Sequence, residues 1–98
     1  MWMVEFHEDA EEEAEAAVVW YAERNVAAAR AFADELKVAV TSIAEDPTRL
    51  PTLGPERFFF LMRRFPYLVV YRVLDDRVQI LAVAHVSRRP GYWRNREV

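Results

Sequence analysis

The sequence predicts an α+β fold: a strand, a hairpin of two antiparallel helices, and a three-stranded antiparallel meander whose sheet packs on the helices. Three observations predict it. Apolar residues recur at helical spacing in the first half, three prolines and a glycine interrupt the chain at 46–56, and the second half is rich in β-branched and aromatic residues. Because 53% of the 98 residues are apolar, we expect one domain, 1–98, with a core that needs neither metal nor disulfide.

The first strand and the two helices are predicted from changes in the apolar period. Apolar and other residues alternate over 2–6, the period of a short strand with one buried face. From Glu8 the spacing becomes helical, and acidic residues crowd the first turns, where the macrodipole favours negative charge. Asn25 is the predicted N-cap of the second helix, which we expect to end before Asp46-Pro47.

Three strands are predicted after the helices. Segments 57–64, 67–74 and 77–86 are rich in aromatic and β-branched residues, and Asp75-Asp76 offers a two-residue turn between the last two. Phe65-Pro66-Tyr67 predicts a bend that begins the middle strand, because proline lacks a donor and fits best at the first residues of a strand. The last two strands should therefore form a hairpin.

Charge divides the chain and composition excludes several classes of site. Residues 1–50 hold twelve Asp or Glu against four Lys or Arg, and residues 51–98 hold four against nine, so the two halves should attract different partners. Cysteine is absent and only two glycines occur, which argues against disulfides, cysteine zinc sites and phosphate loops. We expect no metal and no cofactor. The N-terminus lacks the pattern of a signal peptide and no apolar run could span a bilayer, so a cytoplasmic protein without a membrane partner is expected.

The end of the chain combines guanidinium groups, aromatic rings and an imidazole over residues 85–96. Rings supply large rigid contact area, and guanidinium groups bind carboxylates or phosphates in pairs. The candidate target-binding residues are therefore Arg88, Arg89, Tyr92, Trp93, Arg94 and Arg96. The alternative is that the rings pack under the sheet and close the core, and both interpretations stay open.

The predicted order of elements and several motifs point to one known family. The motifs are Phe65-Pro66-Tyr67, the strand at 80–85, the run 88–93, the Trp20-Tyr21 pair and Pro47. With them, nearly the whole chain resembles the ParE branch of the RelE/ParE toxin superfamily. The resemblance implies a small toxin of a bacterial type II toxin–antitoxin pair, neutralised by a cognate antitoxin. ParE members poison DNA gyrase, and RelE members cut messenger RNA on the ribosome.

A RelE-like nuclease is the main alternative to a gyrase inhibitor. Metal-free RNA cleavage needs an activated 2′-hydroxyl, a proton for the leaving oxygen and cations at the phosphate, and Arg57, Arg64, His85 and Tyr92 are the candidates. Similar nucleases carry arginine directly after the His or Lys that ends the last strand, where this chain has Val86. This departure favours a gyrase inhibitor without catalysis of its own, so direct contact with nucleic acid is expected only in the nuclease alternative. A third possibility is a non-toxic homologue that only binds an antitoxin.

Small residues on the first helix are the candidates for antitoxin binding. Ala10, Ala14 and Ala17 would permit close approach of a partner helix. The alternative, which is equally compatible with the sequence, is that these alanines let the helix pack closely on its own sheet.

Overall fold

The computed structural model, which describes residues 1–54 and 56–96, confirms the α+β fold and the predicted order of elements. The elements are β1 Met3–Phe6, α1 Glu8–Ala22, α2 Val26–Glu45, β2 Phe58–Leu61, β3 Tyr67–Val73 and β4 Arg77–His85. The strands form one sheet in the order β1-β4-β3-β2, in which β1 runs parallel to β4 and the other pairs are antiparallel. The last two strands form the predicted hairpin.

Both helices begin at side-chain caps. His7 Nδ1 accepts a hydrogen bond from the backbone N–H of Asp9 at 3.0 Å, and Asn25 Oδ1 accepts one from the N–H of Ala28 at 3.2 Å. Each cap satisfies a backbone donor that the first turn leaves without an intrahelical partner. The prediction of Asn25 as the N-cap of α2 is confirmed.

The main core lies between the sheet and the two helices. Ala10 and Ala17 are at most 4% exposed and Ala14 is 9% exposed, so small side chains let the backbone of α1 approach the sheet closely. Four rings close one end of this core with centroids 5.0–5.6 Å apart; they belong to Tyr21, Phe32, Phe65 and Tyr67. The predicted bend at Phe65-Pro66-Tyr67 therefore also serves the core.

A β-bulge in β4 changes which side chains face the helices. Val70 pairs with Ala82 and Tyr71 pairs with Ile80, so Leu81 is an extra residue on β4. Before the bulge Ile80 packs in the main core, and after it Val83 does, so the alternation shifts by one residue. This shift turns His85 toward the helical face, where its ring meets the Tyr67 ring at 5.2 Å.

A buried carboxylate joins α2 to the turn between β2 and β3. Glu35 is 8% exposed and accepts hydrogen bonds from the backbone N–H groups of Arg63 and Arg64. The Arg64 Nε atom lies 3.5 Å from Glu35 Oε1. The turn thus supplies the donors that a buried carboxylate needs, and the guanidinium group of Arg64 is paired there.

Tyr71 connects β3 to the end of α2. Its hydroxyl donates a hydrogen bond to the Pro47 carbonyl at 2.5 Å, and the ring stacks on Phe58 at 5.5 Å. Burial raises the pKa of Tyr71 to about 12, so the phenol keeps the proton that it donates.

Candidate target-binding surface

Residues 86–96, which we call the tail, fold back along the sheet after β4. Trp93 is only 5% exposed and fills a second core on the sheet face opposite the helices. The side chains packed there with it include Val70, Leu81, Ala82 and Ala84. Trp93 therefore anchors the tail, and its ring is not an exposed contact surface.

Glu13 of α1 holds the tail through a cluster that we call the Glu13 clasp: Glu13, Tyr92 and Arg96. The Tyr92 hydroxyl donates to Glu13 Oε2 at 2.6 Å, and Arg96 donates to both carboxylate oxygens at 2.9 and 3.1 Å. The Arg96 Nε atom also lies 3.6 Å from Asp9 Oδ2. Such a bidentate pair fixes the direction of both side chains, so the tail is tied to the first helix.

The same clasp covers the free edge of β4. Strand β1 pairs with β4 only as far as Ile80, which leaves the following backbone groups without a partner strand. Val83 N–H donates to Glu13 Oε1 at 3.0 Å, and Arg96 donates to the Leu81 carbonyl at 3.1 Å. Side chains thus satisfy groups that an exposed edge would offer to another chain.

Two guanidinium groups lie close to the Tyr92 ring. The Cζ atoms of Arg88 and Arg96 are 4.0 and 5.0 Å from its ring centroid, which are cation–π distances. Burial, followed by the hydrogen bond to Glu13, raises the pKa of Tyr92 well above its usual range. Its hydroxyl therefore remains a protonated donor to Glu13 and is not available as a general base.

The structure assigns His85 a local hydrogen-bonding role. Its Nδ1 atom accepts from the backbone N–H of Ser87 at 3.0 Å and lies 2.8 Å from Ser87 Oγ. A ring nitrogen that accepts from an N–H carries a lone pair, so the neutral ring has its proton on Nε2. The ring borders a cavity of about 430 Å³ with Trp20 and Arg88 on its wall.

Three arginines of the tail reach solvent. Arg88, Arg89 and Arg94 are exposed, and none of them forms an ion pair within the described part of the chain. Gly91, with φ of +80°, adopts a conformation that favours glycine, and a Cβ there would lie 2.8 Å from Arg94 Nε. The buried Trp93 and the clasp therefore anchor the backbone that carries these cations.

The residues of the nuclease alternative are not gathered into one cavity. Arg64 pairs with Glu35 beside α2, His85 borders the cavity next to α1, and Arg57 lines two other cavities. Tyr92 is bonded to Glu13. A nucleophile, an acid and a phosphate-binding cation that act on one bond need to converge on it. In the described part of the chain these four side chains therefore do not form one site.

The three alanines predicted to bind an antitoxin are largely buried within the fold, and of the three only Ala14 also borders the groove between the helices. Ala10, Ala14 and Ala17 lie in the main core, so their side chains face the chain's own sheet and helix. Larger apolar side chains of α1 are exposed, since Val19 and Trp20 are 56% and 49% exposed. These exposed side chains were not among the binding residues predicted from the sequence, although the adjacent valines at 18 and 19 place apolar side chains beyond the buried alanine stripe.

An apolar groove runs between the two helices with a volume of about 890 Å³. Its apolar walls are formed by Phe6, Ala14, Val18, Val19, Ala33, Leu36 and Val40. Glu15 and Lys37 stand on its rim. Exposed apolar patches of this kind commonly mark surfaces that another protein covers.

Residues 1–54 and 56–96 contain neither a metal-binding cluster nor a membrane-spanning helix. No group of three or more His, Cys, Asp or Glu side chains in these ranges could hold a metal ion. None of the helices there combines the length and apolar character needed to cross a membrane.

Two comparisons place the chain among known proteins. The family model described as "ParE toxin of type II toxin-antitoxin system, parDE" matches residues 4–90. A solved structure titled "Chromosomal ParDE TA system from P. aeruginosa" is similar with a TM-score of 0.75, at 17% sequence identity, covering 87% of this chain and 96% of that chain. At this identity the structural likeness concerns the fold. A comparison with curated proteins gives no match.

Proposed function

Because the chain belongs to the ParE toxin family of type II toxin–antitoxin systems, we propose that it inhibits DNA gyrase by stoichiometric binding through the tail. The observation that carries this proposal is the set of exposed cations, Arg88, Arg89 and Arg94, on a tail anchored by Trp93 and tied to Glu13. Arginines on an anchored backbone lose less freedom on binding than those on a loose chain, and guanidinium groups pair well with carboxylates and phosphates. The surface is therefore suited to a partner rich in anionic groups.

A gyrase supercoiling assay tests this proposal directly. Purified protein should inhibit supercoiling at concentrations close to that of gyrase and cause cleaved DNA to accumulate, because a bound inhibitor stalls the enzyme while the DNA is open. Inhibition should weaken as salt rises, since exposed charges are screened. Unchanged supercoiling at a large molar excess of toxin would contradict the proposal. Cleavage of translated messenger RNA would support the nuclease alternative instead.

We also propose that a cognate antitoxin neutralises the protein by laying an amphipathic helix in the groove between α1 and α2. The groove is long enough to be lined by four residues of α1 and five of α2, and a helix presents apolar side chains at matching intervals of three and four residues. Burying this surface would remove apolar area from water, which is the main source of affinity in such contacts.

Replacing Val19 with glutamate should weaken antitoxin binding about tenfold or more, because it places a charge in the apolar contact. The matched control is Val38→Glu, since Val38 is 61% exposed on α2 and lines a different cavity, beside Glu35. Isothermal titration with the cognate antitoxin measures both affinities. If the Val19→Glu and Val38→Glu variants bind the antitoxin with equal affinity, the antitoxin helix does not lie in the groove between α1 and α2.

A further inference from the structure

Two neighbouring cavities near the start of β2 share an arginine. The first, of about 470 Å³, lies beside Trp93 and is lined by Arg57 and Arg94; the second, of about 340 Å³, is lined by Arg57 and Arg72. We call the two cavities together the arginine cleft. Its three guanidinium groups come from a loop, a strand and the tail, so the fold brings them together from distant parts of the sequence.

Each arginine is held in the cleft by local structure. Arg72 lies between Tyr71 and Val73, which pack in the main core, so its side chain points to the sheet face opposite the helices. Its Nε donates to Gln79 Oε1 at 2.9 Å. Arg57 donates to the Glu56 backbone carbonyl at 2.9 Å, and the side chain of Arg94 lies against Gly91, where a Cβ would collide with it.

Positive charge accumulates in this cleft. Arg72 bonds a neutral amide, and Arg94 forms no ion pair among the described residues. Burial, followed by the charge of Arg72, lowers the pKa of Arg57, as expected when two cations lie near each other. Among the described lining residues, Glu56 is the one carboxylate. The cleft is therefore an environment for an anion.

The distribution of charge over the molecule favours a polymeric anion. The exposed acidic residues of α1, among them Glu8, Glu11, Glu12 and Glu15, lie on the helical side of the sheet, so a polyanion is repelled there and guided to the arginine side. Trp93 is buried and offers no ring for a base to stack on, which favours contact with a sugar–phosphate backbone over recognition of unpaired bases.

We propose that the arginine cleft, Arg57, Arg72 and Arg94, binds the phosphodiester backbone of duplex DNA. The sequence alone predicts no such contact outside the nuclease alternative, because nothing in the spacing of these residues shows that they meet. Adjacent phosphates repeat the charge along each strand, and two cavities that share Arg57 suit a ligand of this form. Binding of this kind does not depend on gyrase.

The test measures binding of the purified protein to a fluorescent duplex of about 20 base pairs, without gyrase, from about 50 to 200 mM salt. We expect affinity to fall with salt, with a logarithmic slope of about −2 to −3 for two or three phosphate contacts. The double variant R72Q/R94Q should reduce the slope by about 1.8. The control R30Q/R49Q removes the same charge from exposed positions on α2 and the loop after it and should leave the slope unchanged.

Arg94→Gln alone, at an exposed position, keeps the test valid if the double variant does not fold; it should reduce the slope by about 0.9. Absence of binding at low salt, or equal slopes for the cleft and control variants, would overturn the proposal. A third outcome is that the protein binds a polyglutamate peptide and not DNA, and that R72Q/R94Q abolishes this binding. It would identify an acidic protein as the partner of the cleft and would also overturn the proposal. Because gyrase is absent from the assay, none of these results bears on gyrase inhibition, and failure to inhibit gyrase would leave this inference standing.

Discussion

Glu13→Ala is expected to lower the free energy of unfolding by about 2–4 kcal/mol. The substitution leaves Arg96, whose side chain is 14% exposed, without its bidentate partner. It also removes the acceptors of the Tyr92 hydroxyl and of Val83 N–H. For a domain of this size the melting temperature should fall by about 10–25 °C, and thermal and urea unfolding followed by circular dichroism measure the change.

The control for this loss is Glu12→Ala. Glu12 is exposed on the same turn of α1, and alanine favours helix as strongly as glutamate does, so stability should change by less than about 0.5 kcal/mol. Glu13→Gln should lie between the two variants, because an amide keeps an acceptor but loses the charge that pairs with Arg96. If Glu13→Ala is no less stable than Glu12→Ala, the clasp does not hold the tail.

Much of the fold could be predicted because its signals are local. The change from alternation to helical spacing at Glu8, the cap at Asn25 and the turn at Asp75-Asp76 each depend on a few neighbouring residues. The bulge at Leu81 could not be predicted in this way. Residues 80–84 are all apolar, so a shift of one residue leaves no trace in the hydrophobic pattern, and the face occupied by His85 depends on that shift.

The candidate site was harder to predict than the fold, because it depends more strongly on contacts between residues that are distant in the sequence. The tail arginines could be identified as candidates from composition, but the separation of anchors from exposed cations required Trp93 in the second core and Arg96 on Glu13. In sequence Glu13 is one member of an acidic run. One signal distinguishes it, since it lies three residues after Ala10 and four before Ala17, at the margin of the buried stripe.

The double variant R88Q/R89Q is expected to raise the concentration of toxin that half-inhibits gyrase about 30-fold. Interface arginines commonly contribute about 1 kcal/mol or more each, and about 2 kcal/mol corresponds to this change in affinity. Both side chains are exposed, and the main contact of Arg88 within the chain is with the Tyr92 ring at 4.0 Å. Supercoiling assays over a range of toxin concentrations measure the effect, and melting temperatures of the variants confirm that the fold is retained.

The matched control for the tail is R30Q/R49Q, which removes two exposed arginines from α2 and the loop after it. It changes the net charge by the same amount as R88Q/R89Q does. If inhibition depended on a general electrostatic attraction to gyrase or DNA, both variants would therefore inhibit gyrase less well, and to the same extent. If the tail contacts gyrase locally, only R88Q/R89Q should inhibit gyrase less well. Raising the salt concentration should then bring the half-inhibiting concentrations of the wild type and this variant closer together. If both variants inhibit as the wild type does, the tail arginines are not the gyrase-binding surface, and the partner must contact another face.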